Sequence, residues 1–181
     1  MKQRLYYAVA VEGTFKLGVG DRLSDAQRKT LREEYGIDPF DTVPYYPVEV
    51  MHRGFEYLQR ELFPELPAQE SEDLLGALSF RGFAQTLIGK AIVQMMRLIG
   101  AERTMPRMSK NLQAGTNFMD IVSRKLGPGD FELEVSDVGG IPYFYRGMFA
   151  EGLGCTRAKD LAVTIARLHG RGATYRITWT P

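Results

Sequence analysis

FRGFAQTLIGKAIVQMMRLIG, residues 80–100, is the stretch on which the fold turns. Phe80, Phe83, Leu87, Ile88, Ala91, Ile92, Met95, Met96 and Ile99 recur at helical spacing and fill a band wider than half the circumference of a helix. Arg81, Gln85, Lys90, Gln94 and Arg97 interrupt the run, which excludes the roughly 20 predominantly apolar residues of a membrane span. The spacing therefore predicts one long core helix with two buried faces, one against other helices and one against a sheet. Gly82, Thr86 and Gly89 add a groove of small residues where a further element, or a second copy, can approach closely.

Upstream, Ser24 with Gln27 has the form of a capping box and Gly36 supplies a helix stop, so Asp25 to Tyr35 is expected to be helical. GIDPFDTVPYYP reads as an extended connection because each proline disfavours helix at the residue before it. Pro47 can open the next helix, in which Val48, Met51, Phe55, Leu58 and Leu62 share one face up to Phe63. A further helix is expected from about Pro67 to Leu78, with Glu70, Glu72 and Asp73 near its positive end. The first twenty residues fit either a strand or a short helix.

Downstream of Gly100, Thr104 can cap a helix whose inner face is Met105, Met108 and Leu112. From Asn117 the period changes to alternation. Phe131, Leu133 and Val135 alternate with Glu132, Glu134 and Ser136, and the run pairs across Leu126-Gly127-Pro128-Gly129-Asp130 with MDIVSRKL. DLAVTIARL and ATYRITW form a second hairpin across His169–Gly172, with Ala173, Tyr175, Ile177 and Trp179 on one face. Between the hairpins, Tyr145, Met148, Phe149 and Gly152 have helical spacing before Gly154. The expected fold is α+β: N-terminal helices, about residues 1–116, packed on a C-terminal four-stranded antiparallel ββαββ sheet, about 117–181, as a single domain.

A chain of 181 residues with 44% hydrophobic residues can bury a core without disulfides or metals. Its 23 basic and 22 acidic residues nearly cancel, so net charge implies no attraction to nucleic acid, and no nucleic-acid partner is expected. The single cysteine and the short apolar run in MKQRLYYAVAVEG fit a cytoplasmic protein without a secretory signal. GVGDRL lacks a third glycine and a lysine-serine pair, and no GxSxG, HExxH or CxxC occurs. His52, His169 and Cys155 lie far apart in sequence, so no metal site is expected.

Individual residues carry weaker signals. His52, beside Met51 and Phe55, reads first as a packing, hydrogen-bonded histidine, with haem ligation or base catalysis as the alternative; His169 reads as a solvated turn residue. Cys155 reads as a small buried hydrophobe after a helix end, with a reactive or acylated thiol as the alternative. Arg103, Arg107 and Lys110 share one helix face, and residues 80–125 carry eight basic against two acidic residues. That face reads as solvated and paired with the acidic Glu56–Asp73 region, or else as an anion or partner patch. Asp137, Tyr143, Tyr145 and Arg146 surround the Val138-Gly139-Gly140 turn and are the residues an enzyme would use.

YPVEVMHRGFEYLQRELFPE, LGALSFRGFAQTLIGKAIVQMMRLIGAERTMPRM and VGGIPYFYRGMFAEGLG resemble a bacterial family of unknown function, about this long and multiplied into paralogues in myxobacteria. The order of helices followed by ββαββ is similar in topology to the haem-nitric-oxide-binding, vinyl-reductase-like and Golgi transport-complex domains. That resemblance implies a cavity between helices and sheet and an interaction surface, and some of those proteins dimerise through helices. The proximal histidine and Tyr-x-Ser-x-Arg motif of the haem domains have no counterpart here, YFYRG being a poor approximation, so no cofactor is expected.

The reading that follows is a non-enzymatic sensor or regulatory domain for signalling, with a hydrophobic small molecule held by Leu87, Ala91, Met95, Phe149, Tyr175 and Trp179. A homodimerising interaction module using the Gly82–Thr86–Gly89 groove or the Pro47–Phe63 helix comes second, and an enzyme third.

Overall fold

A computed structural model describes residues 3–181 of the chain. A short strand β1 (Leu5–Tyr7) leads into helix α1 (Ala8–Val11), which passes unbroken into π-helical turns over Glu12–Gly18. Then come α2 (Asp25–Tyr35), strand β2 (Tyr45–Pro47), α3 (Val48–Leu62), α4 (Ala68–Phe83), α5 (Leu87–Thr104) and α6 (Met108–Leu112). The C-terminal part is β3 (Ile121–Gly127), β4 (Asp130–Val135), α7 (Pro142–Gly154), β5 (Lys159–His169) and β6 (Gly172–Thr180).

The α+β architecture is as the alternation of periods implies. β3, β4, β6 and β5 form, in that order, one antiparallel sheet, with Leu133 opposite Tyr175 and Phe131 opposite Ile177 at its centre. α2 begins on the Ser24–Gln27 capping box, in which Gln27 N donates to Ser24 Oγ at 3.2 Å, and it ends at Gly36 in the left-handed conformation (φ +69°). The first residues, ambiguous by pattern, pair as β1 with β2: Tyr6 faces Tyr46, and the proline-rich connection ends in a strand rather than only a loop.

The largest correction concerns residues 80–100, which are not one helix. α4 runs on to Phe83 and stops. Thr86 Oγ1 donates to the Phe83 carbonyl at 2.8 Å and accepts from Gly89 N at 3.0 Å, so Thr86 is the N-cap of a new helix. With the axis broken there, the apolar band no longer describes two buried faces. Gly89, Val93, Met96 and Ala101 face inward, whereas Leu87 and Leu98 are 87% and 86% exposed. Gly100 (φ +76°, ψ 174°) kinks α5 once more, a backbone geometry that glycine adopts without strain. Thr104 is not a cap: its backbone is helical and Oγ1 donates to the Gly100 carbonyl at 2.8 Å.

The central helix is instead α4. Gly76 lies so close to α7 that a Cβ there would overlap the Phe144 carbonyl, and Gly147 of α7 is equally tight against the Asp73 carbonyl. Gly82 is pressed in the same way on Gly13 and Gly18 of the π-helical turns. Glu72 Oε1 accepts from Tyr143 N (2.6 Å) and Phe144 N (3.0 Å), capping α7 from outside, and Arg146 Nε donates to Asp73 Oδ1 at 2.6 Å. The Gly82–Thr86–Gly89 groove expected to receive a second copy is therefore filled by the chain's own backbone at Gly82 and by a capping turn at Gly89. The apolar face of α3, with Val48, Met51, Phe55 and Leu58, is likewise buried.

α7, rather than residues 80–100, covers the middle of the sheet. Phe149 meets Tyr175 edge-on at 5.1 Å, and the Tyr175 hydroxyl donates to the Pro142 carbonyl at 2.8 Å. Stacked rings carry the core onward from α7 into the helical part, Phe144 on Phe55 at 4.9 Å and Phe55 on Phe15 at 5.7 Å. One contiguous apolar core thus spans both parts of the chain.

Candidate ligand-binding site

A cavity of about 100 Å³ lies where the helices meet. Tyr6, Val9 and Ala10 wall it from the N-terminal segment, Ser79, Phe80 and Phe83 from α4, and Ile92 and Met96 from the inner face of α5. Met108 and Leu112 of α6 close another side, with Phe144, Tyr145, Met148 and Phe149 of α7 opposite. The local sequence explains why space remains there. α5 bends away from α4 at its Thr86 cap, and the glycines that draw α4 onto the π-helical turns and α7 leave bulky rings to converge at the junction. Three methionines line it, side chains that adapt to irregular volumes.

No charged side chain lines this cavity among the described residues. Its polar groups are hydroxyls. Tyr6 and Tyr145 share a hydrogen bond of 2.9 Å between their phenol oxygens, and burial holds both phenols far above their ordinary range, so both are neutral. Ser79 Oγ donates to the Leu75 carbonyl at 2.7 Å. Thr116, 5% exposed, follows α6 and bridges to Tyr6 of β1; its Oγ1 is buried with no hydrogen-bonding partner.

Of the lining expected from sequence, Phe149 alone is in the wall. Leu87 and Ala91 are on the solvent side of α5, Met95 is half-buried outside the lining, and Tyr175 and Trp179 lie on the sheet, Tyr175 behind Phe149 and Trp179 stacked on Phe131 at 5.4 Å. α5 starts anew after the Thr86 cap with Leu87 and Ala91 outward, and α7 rather than α5 packs on Tyr175 of the sheet. Tyr6, Phe80, Met96, Met148 and Thr116 had no sequence signal as a set, because four separate elements and the loop after α6 contribute them.

The four residues considered for acid-base work are not gathered. Asp137 is engaged by Arg4 Nη1 at 3.0 and 3.1 Å, by Arg171 at 3.4 Å and by Gly139 N at 2.9 Å. Arg146 is held by Asp73 and lies over the Tyr143 ring at 5.3 Å, while Tyr145 faces Tyr6. Arg103, Arg107 and Lys110 are exposed and none has an ion-pair partner among the described residues, so the expected pairing with the Glu56–Asp73 region does not form. Instead Arg107 Nη1 donates to the Arg103 carbonyl at 2.6 Å, and Glu102 pairs with Lys125.

His52 packs against the Tyr6 and Phe55 rings with Nε2 buried and unpartnered beside Gly139; burial, and then Arg4, lower its pKa, so it is neutral. It packs as expected but without the expected hydrogen bond at Nε2. His169 Nε2 lies 3.3 Å from Thr174 Oγ1, and the half-buried Cys155 thiol donates to the Glu151 carbonyl at 3.7 Å.

No helix among the described residues is long and apolar enough to cross a membrane. Comparison with curated proteins finds no match. The fold is similar to that of solved H-NOX proteins. An H-NOX protein from S. oneidensis in the Fe(II)NO ligation state aligns with a TM-score of 0.73 and 12% identity, covering 97% of this chain and 99% of that chain. A mutant H-NOX of T. tengcongensis aligns at 0.65 and 11%, covering 97% and 98%. A mutant Fe(II) unliganded H-NOX from K. algicida aligns at 0.62 and 10%, covering 97% of each. At such identities the likeness establishes the fold. The family model described as "Protein of unknown function (DUF2378)" matches residues 4–180, and the chain belongs to that family.

Proposed function

We propose that this protein is a non-enzymatic sensor or regulatory domain that binds a small hydrophobic molecule in the cavity between α1, α3, α4, α5, α6 and α7. The observation that carries the reading is the cavity itself: an uncharged space of about 100 Å³ lined from six helices, in a fold one of whose solved neighbours is an H-NOX protein in the Fe(II)NO ligation state. Apolar cavities of this order stay dry and admit small apolar molecules, an engineered one of roughly 150 Å³ taking benzene. α5 gives the site an output. Its inner face, Ile92 and Met96, touches the cavity while its outer face is solvent-exposed, and it starts at the Thr86 cap and is kinked at Gly100, so occupancy can shift one helix. A single free thiol suits a cytoplasmic setting.

Haem does not fit these residues. The lining offers no histidine or cysteine as an axial ligand and no cation for propionates, and the space is far smaller than a macrocycle. Tyr6 and Tyr145 are neutral phenols committed to each other rather than phenolates. Native mass spectrometry and solvent extraction of protein purified from its own cells test the reading. Recovery of one small apolar molecule per chain, lost in Ile92→Phe, is expected; folded protein that never retains or takes up an apolar molecule would overturn it.

A second reading is homodimerisation, favoured by one observation: Leu87, Ala91, Gln94 and Leu98 succeed one another at intervals of four, three and four on the exposed side of α5, the spacing of a two-helix seam. Light scattering should then give a dimer that Leu98→Glu dissociates. A strict monomer at high concentration would remove it.

A further inference from the structure

Among the described residues of the cavity wall, Thr116 has a side-chain oxygen that is both buried and without a hydrogen-bonding partner. The hydroxyls of Tyr6 and Tyr145 bond to each other, and that of Ser79 to the Leu75 carbonyl. Thr116 is 95% buried, is fixed by its bridge to Tyr6 and by donating its own backbone N–H to the Leu112 carbonyl at 3.2 Å, and still leaves Oγ1 unsatisfied. A buried hydroxyl without a protein partner is disfavoured relative to a valine of the same shape, and Oγ1 keeps its full bonding capacity for an occupant of the cavity.

We propose that Thr116 Oγ1 is the polar anchor of the cavity, and that the ligand is a small neutral molecule with an apolar body and one hydroxyl or carbonyl group that bonds to it. This deepens the ligand-binding reading above and rests on it. Neutrality follows from the wall: with no cationic or anionic side chain in the lining, a carboxylate or ammonium would be buried without compensation. Size follows from the volume, which admits a single ring or a short chain but no sterol or long acyl chain. A hydroxyl anchor can accept from an alcohol or donate to a carbonyl, so either chemistry satisfies it.

Benzene, phenol and benzoate are single-ring probes that differ in these features. Their affinities for the full chain and for Thr116→Val, measured by NMR titration or calorimetry, separate the two layers of the claim. In the wild type, benzene and phenol bind and benzoate does not. In Thr116→Val, the ratio of phenol to benzene affinity falls about ten-fold, the worth of one buried hydrogen bond. The variant itself melts no lower than wild type, since the methyl that replaces Oγ1 has no unmet bond. If neither benzene nor phenol binds the wild type, the cavity reading fails and the anchor with it. If both bind with a ratio that Thr116→Val leaves unchanged, the cavity stands and the Thr116 assignment is overturned. Binding of benzoate as tight as that of phenol overturns neutrality. A clear loss of thermal stability in the variant would mean that Oγ1 is already bonded within the protein, and would equally overturn the assignment.

Discussion

The phenol oxygens of Tyr6 and Tyr145 meet 2.9 Å apart in the cavity wall, joining β1 at the start of the chain to α7 in its C-terminal part. Both rings are buried, so each hydroxyl depends on the other. Tyr6→Phe or Tyr145→Phe leaves one phenol without its partner and should lower unfolding stability by about 1–3 kcal/mol, whereas the double variant should recover much of that loss. A double-mutant cycle by urea denaturation measures the coupling. Strictly additive single effects would mean that the pair contributes nothing as a pair.

Close backbone approach at Gly76 fixes the angle at which α4 meets α7. Gly76→Ala would push a methyl into the Phe144 carbonyl, displacing α7 and the Glu72 cap with it. A loss of at least about 1–3 kcal/mol is expected, as for overpacking in a rigid core. Gly154→Ala, with nothing within 4 Å of its added methyl, is the control and should be nearly neutral. Equal thermal stability for the two variants would contradict the packing described.

Such helix crossings were only partly legible in the sequence. The Ser24–Gln27 box, the stop at Gly36 and the two hairpins with their intervening helix could all be read, because each depends on neighbours within a few residues. The apolar spacing through residues 80–100 misled, since a helix that ends at Phe83 and restarts at Leu87 keeps a three-to-four residue rhythm across the gap. Thr86, three residues before Gly89, was the available cap signal. The cavity itself was invisible: Thr116 and Tyr6 are adjacent only through a bridge 110 residues apart, and the π-helical turns that set α4's position leave no pattern of their own.

His52 should make stability depend on pH on the acid side. Burial and the nearby Arg4 lower its pKa in the folded state, with Glu49 and Asp137 opposing more weakly. The unfolded chain therefore takes up a proton that the folded chain resists. Stability attributable to His52 is full above about pH 6.5, the unperturbed value, and declines as pH falls below it towards the lowered folded value. Urea midpoints across that range should fall less in His52→Gln than in wild type. Parallel curves for the two proteins would remove this role.

The ββαββ part should not stand alone. Phe131, Leu133, Val135, Tyr175 and Ile177 are buried, and the stacked rings of Phe144, Phe55 and Phe15 tie α7 to the helical part. A fragment beginning at Asn117 would expose those surfaces and is expected to aggregate or to unfold without cooperativity. Trp179 fluorescence reports the comparison with the full chain. A soluble fragment with a cooperative urea transition would mean that the two parts are independent domains.

The most direct test of the cavity as a binding site uses its own methionines. Met96, Met108 and Met148 line it, whereas Met51 and Met119 are buried elsewhere in the core. With methionine methyl groups labelled with carbon-13, an NMR titration with benzene should shift the first three resonances saturably and leave the other two in place. Absence of any saturable shift, or an equal drift of all five, would contradict the account.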